Sequence, residues 1–148
     1  MFLEFIIHFL SAFIHLFIMS TIIFFLAPLI FDTTIPSNLP VYLISLAIFI
    51  ATTLSIGSVF GLVMKDVSKL TMISQLVFMP SLMLSGIMFP AEMLPKVLEY
   101  ADKTFPATWA FKAMTNNVFE LSLYIPMIVV FIISIIICAF ILRTDKFN

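Results

Sequence analysis

The chain has 148 residues, of which 63% are hydrophobic and 10% charged, whereas an ordinary soluble domain carries about 25% charged residues. Water is therefore not its main solvent, and the length leaves room for one membrane domain without a separate soluble catalytic domain. A formal net charge of -1 offers no basic face to displace counterions from phosphates, so nucleic acid is not expected as a partner.

The first uncharged run extends from Phe5 to Phe31, longer than the ~20 residues that cross a hydrocarbon core of about 30 Å. In lipid the backbone has no water to bond, so a helix is expected, with Pro28 marking its exit. A cleaved signal peptide would need a basic start and a short apolar core. Met1-Phe2-Leu3-Glu4 and the long run that follows predict instead that this segment stays in the mature protein. His8 and His15 lie seven residues apart and share a helix face, which suggests a metal or proton-relay role or, more simply, polar contacts at the inner rim. No third ligand stands nearby in sequence except the loosely placed Glu4.

The link from Asp32 to Pro40 holds turn formers, one acid and no base, and reads as an outside loop. The second span is expected over residues 41–64. Thr53, Gly57 and Gly61 lie four residues apart along it, a stripe of small side chains that allows close helix contact, either inside the bundle or at a seam between two membrane domains. Lys65-Asp66-Val67-Ser68-Lys69 then forms a short turn whose lysines mark an inner face.

The third span is expected over residues 70–91, with Thr71, Ser74 and Gln75 in its inner part. Such polar groups are costly against hydrocarbon and are expected to face other helices, by interhelical hydrogen bonds or as substrate contacts. The connector, residues 92–120, carries Met93, Leu94, Val97, Leu98 and Ala101 at helical spacing opposite Lys96, Glu99, Asp102 and Lys103, the pattern of an interfacial amphipathic helix. Beyond Pro106, Trp109 and Phe111 suit the headgroup level, and a second short helix leading back toward the last span is expected.

The last span is expected over residues 121–142, with the lone Cys138 inside it and Arg143 and Lys146 after it. One cysteine forms no intramolecular disulfide, so packing is its expected role. The fold class is then all-α, a polytopic membrane protein with four transmembrane helices and an external amphipathic or re-entrant connector. Positive charge in the second link and the tail puts both termini in the cytoplasm and the connector outside.

Span three closes Pro80-Ser81-Leu82-Met83-Leu84-Ser85-Gly86-Ile87-Met88-Phe89-Pro90, and the chain goes on through Leu94-Pro95 to Phe105-Pro106-Ala107-Thr108-Trp109. This order resembles the ABC-2 type permease signature: a helix closing in P-x-x-x-L-S-G-x-x-F-P, then Leu-Pro, an external amphipathic helix, and a Pro-x-x-aromatic step into the last span. Gly57-Ser58-Val59-Phe60-Gly61-Leu62 before a short charged loop is similar to the family's fourth span. The resemblance implies part of an ATP-driven exporter in the plasma membrane, with Pro80, Ser85, Gly86, Phe89, Pro90, Pro95 and Pro106 as signature and gate residues. Ser85 and Gly86 present little side chain, so a neighbouring backbone can come close, and Pro80 lets the helix bend.

The implied partners are cytoplasmic ABC ATPase subunits, a second permease domain and the lipid bilayer. The family has six spans with a coupling helix after its second, and this chain resembles the last four. The missing half is then either a separate polypeptide or absent from a truncated, non-transporting product. Two rivals from other classes are an inert assembly protein and a small channel lined by Thr52, Thr53, Ser55 and Ser58. Last comes an intramembrane enzyme built on His8 and His15, which lacks a nucleophile paired with a base. With no G-x-x-x-x-G-K-[ST] loop, no G-x-S-x-G elbow and no H-E-x-x-H pair, no catalytic, cofactor or metal site is expected.

Overall fold

A computed structural model of the chain describes residues 2–31, 38–64, 66–84, 105–116 and 118–144. Among these residues the fold is all-helical, with five helices: α1 (Phe2–Phe31), α2 (Leu39–Val63), α3 (Val67–Leu84), α4 (Pro106–Thr115) and α5 (Leu121–Thr144). Three of them, over Leu3–Phe31, Leu39–Val63 and Leu121–Thr144, are long and apolar enough to cross a membrane, while Val67–Met83 is a shorter apolar helix. The expected third span begins earlier than residue 70, at Val67, and its part beyond Leu84 lies outside the described residues. The expected amphipathic helix at residues 93–103 lies outside them too.

Local chemistry accounts for the ends. Pro40 sits in the first turn of α2, where its missing N–H would have no partner in any case. The Met64 N–H closes that helix on the Phe60 carbonyl at 2.9 Å. Asp66 then opens α3, its carboxylate accepting from the Ser68 N–H at 3.0 Å in the manner of an N-cap. Pro106 starts α4 after an extended Phe105, as the restriction on a residue before proline requires. Pro28 does not end its helix: α1 runs on to Phe31. A proline this close to the terminus removes an N–H bond but crowds only one earlier carbonyl, and the last turn continues.

α2 and α5 run side by side in the same direction. Near the start of both, the Ser45 and Tyr124 hydroxyls share a hydrogen bond of 2.7 Å, and further along the Thr52 hydroxyl lies 3.4 Å from the Met127 carbonyl. Ser45, Thr52, Ser55, Tyr124 and Met127 are all fully buried. α4 fits against this pair through Ala107, Ala110 and Ala113, whose methyl groups let the short helix approach closely. Ile48, Phe49, Trp109, Met114 and Leu123 pack round the Ala110, Ala113, Tyr124 and Met127 cluster, and Phe119 stacks on Tyr124 at 4.6 Å. This short helix after Pro106 agrees with the sequence expectation.

α1 runs antiparallel to α2, held by a stack of Phe24 on Tyr42 at 4.2 Å. The start of α1, the turn between α2 and α3, and the end of α5 therefore share one end of the bundle. The start of α2, helix α4 and the start of α5 occupy the other. α3 packs only weakly, with Leu70 and Ile73 half-buried and most of its other described side chains exposed.

Candidate functional site

A groove of about 430 Å³ opens between α1 and α2, lined by Leu16, Ser20, Phe49, Ile50, Thr53, Leu54, Gly57 and Ser58. Two residues of the small stripe, Thr53 and Gly57, line it. Thr53, Gly57 and Gly61 are all exposed, and a methyl group added to either glycine would meet nothing within 4 Å. Among the described residues the stripe makes no close packing contact, so the expected close contact inside the bundle is not seen there. The face of α2 that packs is the one bearing Ser45, Thr52 and Ser55, roughly 150° round the helix axis at 3.6 residues per turn.

The hydroxyl groups on α2 divide accordingly. Thr52 donates to the Ile48 carbonyl at 2.8 Å and Ser55 to the Thr52 carbonyl at 2.7 Å, both buried against α5. They do not line an open path, so a water channel over Thr52, Thr53, Ser55 and Ser58 is not what the helix forms. Thr53 and Ser58 do reach the groove, each donating back to its own helix, to Phe49 at 2.9 Å and to Leu54 at 2.8 Å. These internal bonds lower the cost of a hydroxyl in lipid and leave its lone pairs toward the groove.

Thr71, Ser74 and Gln75 are exposed as well, so the expectation that they face other helices is not met by helices of this chain among the described residues. Thr71 donates to the Val67 carbonyl at 3.0 Å. His8 and His15 are exposed on α1, and the His8 ring nitrogen Nδ1 lies 2.8 Å from the Glu4 carbonyl. Seven residues of helix separate the two histidines by about 10 Å, too far for one ion to bind both.

Of the signature residues, Pro80 lies exposed inside α3 and Pro106 forms the first turn of α4. Ser85, Gly86, Phe89, Pro90 and Pro95 lie outside the described residues. Lys112 sits 5.5 Å from the centre of the Trp109 ring, a cation over an aromatic face at the α4 end of the bundle. Sequence reasoning passed over the groups that hold the bundle together, Ser45, Tyr124, Met127 and the three alanines of α4. The alanines at every third position from Ala107 to Ala113 were the available signal, since small residues on one face are what lets helices meet in lipid.

The described helices, their apolar surface and the confinement of charge in the three long ones to Glu4 and Arg143 near their ends define a membrane-embedded helical protein. The family model of the ABC-2 type transporter matches residues 1–119, most of the chain and all of the first four helices. This chain belongs to that family: it is a membrane portion of a transporter permease, and membership implies an ATPase subunit as a partner. No curated protein and no solved structure matches it.

Proposed function

We propose that this chain is a permease subunit of an ATP-driven exporter in the plasma membrane, forming one wall of the route and its outer gate. The observation that carries the proposal is the family match across the first four helices. A cytoplasmic ABC ATPase binds and hydrolyses ATP, and the chain itself performs no chemistry. Both termini lie in the cytoplasm. This is supported by the bundle end that gathers Asp66, Lys69 and Arg143 at short turns and helix ends.

The gate is formed where Pro80 bends the third span toward Ser85, Gly86, Phe89 and Pro90 and the chain returns past Pro95 and Pro106 to the last span. Small side chains at 85 and 86 leave room for a neighbouring backbone to close the route, and a bulky one would prop it open or jam it. The Thr53, Gly57 and Gly61 stripe serves as a seam for a second permease domain. It is supported by the exposure of Thr53, Gly57 and Gly61 and by the open space above both glycines among the described residues.

The test is reconstitution with a cytoplasmic ABC ATPase that co-purifies with the chain, followed by ATP-dependent uptake into inverted vesicles. Uptake that requires the chain and falls at least about tenfold in Gly86→Phe, a loss of roughly 1.4 kcal/mol or more, is the expected result. A chain that binds no ATPase and leaves uptake unchanged when deleted would be a non-transporting membrane protein, and the proposal would fail.

A further inference from the structure

The N-terminal half of α1 carries four polar side chains on one line. Glu4, His8, Ser11 and His15 are all exposed, and their spacing of four, three and four residues keeps them within an arc of about 60° at 3.6 residues per turn. The opposite side of the helix holds Phe9, Phe13, Phe17 and Phe24, half-buried toward α2. The polar line thus points away from every described helix that α1 packs against.

The rest of this half-helix is apolar. Leu3, Ile7, Leu10 and Ile14 are exposed on the flank next to the line and Ile6 is exposed on the phenylalanine side, so this stretch does not stand in bulk water. α1 has 30 residues, which at 1.5 Å each span about 45 Å against a hydrocarbon core of about 30 Å. Even with Phe31 at the far border and no tilt, His15 falls inside the core, and any sinking or tilting carries it deeper. Further along the same arc stand Ile18, Ile22, Leu26 and Leu29, all exposed. The polar line stops near the middle of the helix.

An uncompensated polar group in hydrocarbon costs on the order of 2–7 kcal/mol. Among the described residues His8 has the Glu4 carbonyl on one ring nitrogen, while the His15 ring and the Ser11 hydroxyl have no hydrogen-bond partner. The His15 imidazole and the Ser11 hydroxyl, one turn apart, can each both donate and accept. A partner helix would need a matching group at each level, whereas water supplies either role at every one. The line also begins at the end of the bundle where Asp66, Lys69 and Arg143 emerge, which is an aqueous boundary.

We infer that the N-terminal half of α1 borders a water-filled recess that opens at that boundary, reaches His15 and is closed by Ile18 and Ile22. Within the lipid thickness it hydrates one face of one helix as far as His15, about 6 Å below the near border when Phe31 sits at the far one. The inference does not depend on transport, because it concerns which face of α1 meets water.

Single cysteines at Ser11, Ile14, His15 and Ile22 in a Cys138→Ala background test it in native membranes with a charged, membrane-impermeant thiol reagent. A thiol reacts as its thiolate, which water stabilises and lipid does not, so Ser11→Cys and His15→Cys should react at least about tenfold faster than Ile14→Cys and Ile22→Cys. A nitroxide at Ile14 should at the same time report a depth inside the hydrocarbon by its collisions with oxygen rather than with a nickel chelate. Equal rates at all four positions overturn the inference. So does Ser11→Cys that is shielded from the reagent and cross-links to another copy, the behaviour of a helix seam. A headgroup-level depth at Ile14 also overturns it, because the helix would then lie on the surface.

Discussion

α1 and α2 are nearly alike in length and apolar character, yet α1 buries none of its described side chains while α2 buries Ser45, Leu46, Ile50, Thr52 and Ser55. Apolarity does not rank burial here, because lipid tails solvate a leucine as well as a neighbouring helix does. What separates the two regions is shape and hydrogen bonding. α2 and α5 meet through serine, threonine and tyrosine, and α4 reaches them through alanine. α1 presents phenylalanine toward α2 and isoleucine or histidine outward, and α3 is exposed over most of its length. The bundle is a tight unit of α2, α4 and α5 with two helices loosely attached, and α1 carries Ser11 and His15, whose side chains have no hydrogen-bond partner among the described residues.

Core truncation sharpens the contrast most. Met127→Ala empties a fully buried position and is expected to cost about 2–5 kcal/mol, read as a lower midpoint of unfolding in mixed detergent and dodecyl sulfate micelles. Ala113→Leu, on the α4 face that is 1% exposed, should cost about 1–3 kcal/mol by overpacking and detach α4 before the other helices. Protease susceptibility near Pro106 would follow that detachment.

A smaller effect is expected where a hydrogen bond alone is removed. Ser45→Ala and Tyr124→Phe in a double-mutant cycle should couple by about 0.6 kcal/mol, with an upper bound of about 1.7. No coupling would mean that shape alone joins α2 to α5. Gly57→Ala should change the stability of the isolated chain by no more than about 0.5 kcal/mol, as an open surface position does. If Gly57→Leu leaves the chain folded but prevents assembly with its partners, the exposed stripe is a seam. A drop in the chain's own stability instead would erase the distinction between the two regions.

Three long helices were legible almost residue for residue, since the expected runs 5–31, 41–64 and 121–142 became Phe2–Phe31, Leu39–Val63 and Leu121–Thr144. A stretch without charge, ended by proline or by a turn, must bond its own backbone when lipid surrounds it, and that requirement is local. The short helix after Pro106 was legible from the proline and from Trp109 and Phe111 beyond it, and the family through an ordered motif along the chain. Other features were not. The small stripe at Thr53, Gly57 and Gly61 and the buried row at Ser45, Thr52 and Ser55 are both runs of small or hydroxylated residues on α2, and spacing does not say which one meets a neighbour.

Sequence alone therefore determined that the chain lives in lipid, where its long helices run, and which transporter family it joins. Only the tertiary structure decided that α5 and α4 take the serine and threonine face of α2, that the glycine face is left open beside α1, and that the histidines point outward. The physical reason is that in a bilayer most faces of these helices are apolar enough to be solvated by lipid. The choice among faces rests on small differences in close packing and on hydrogen bonds between residues as far apart as Ser45 and Tyr124.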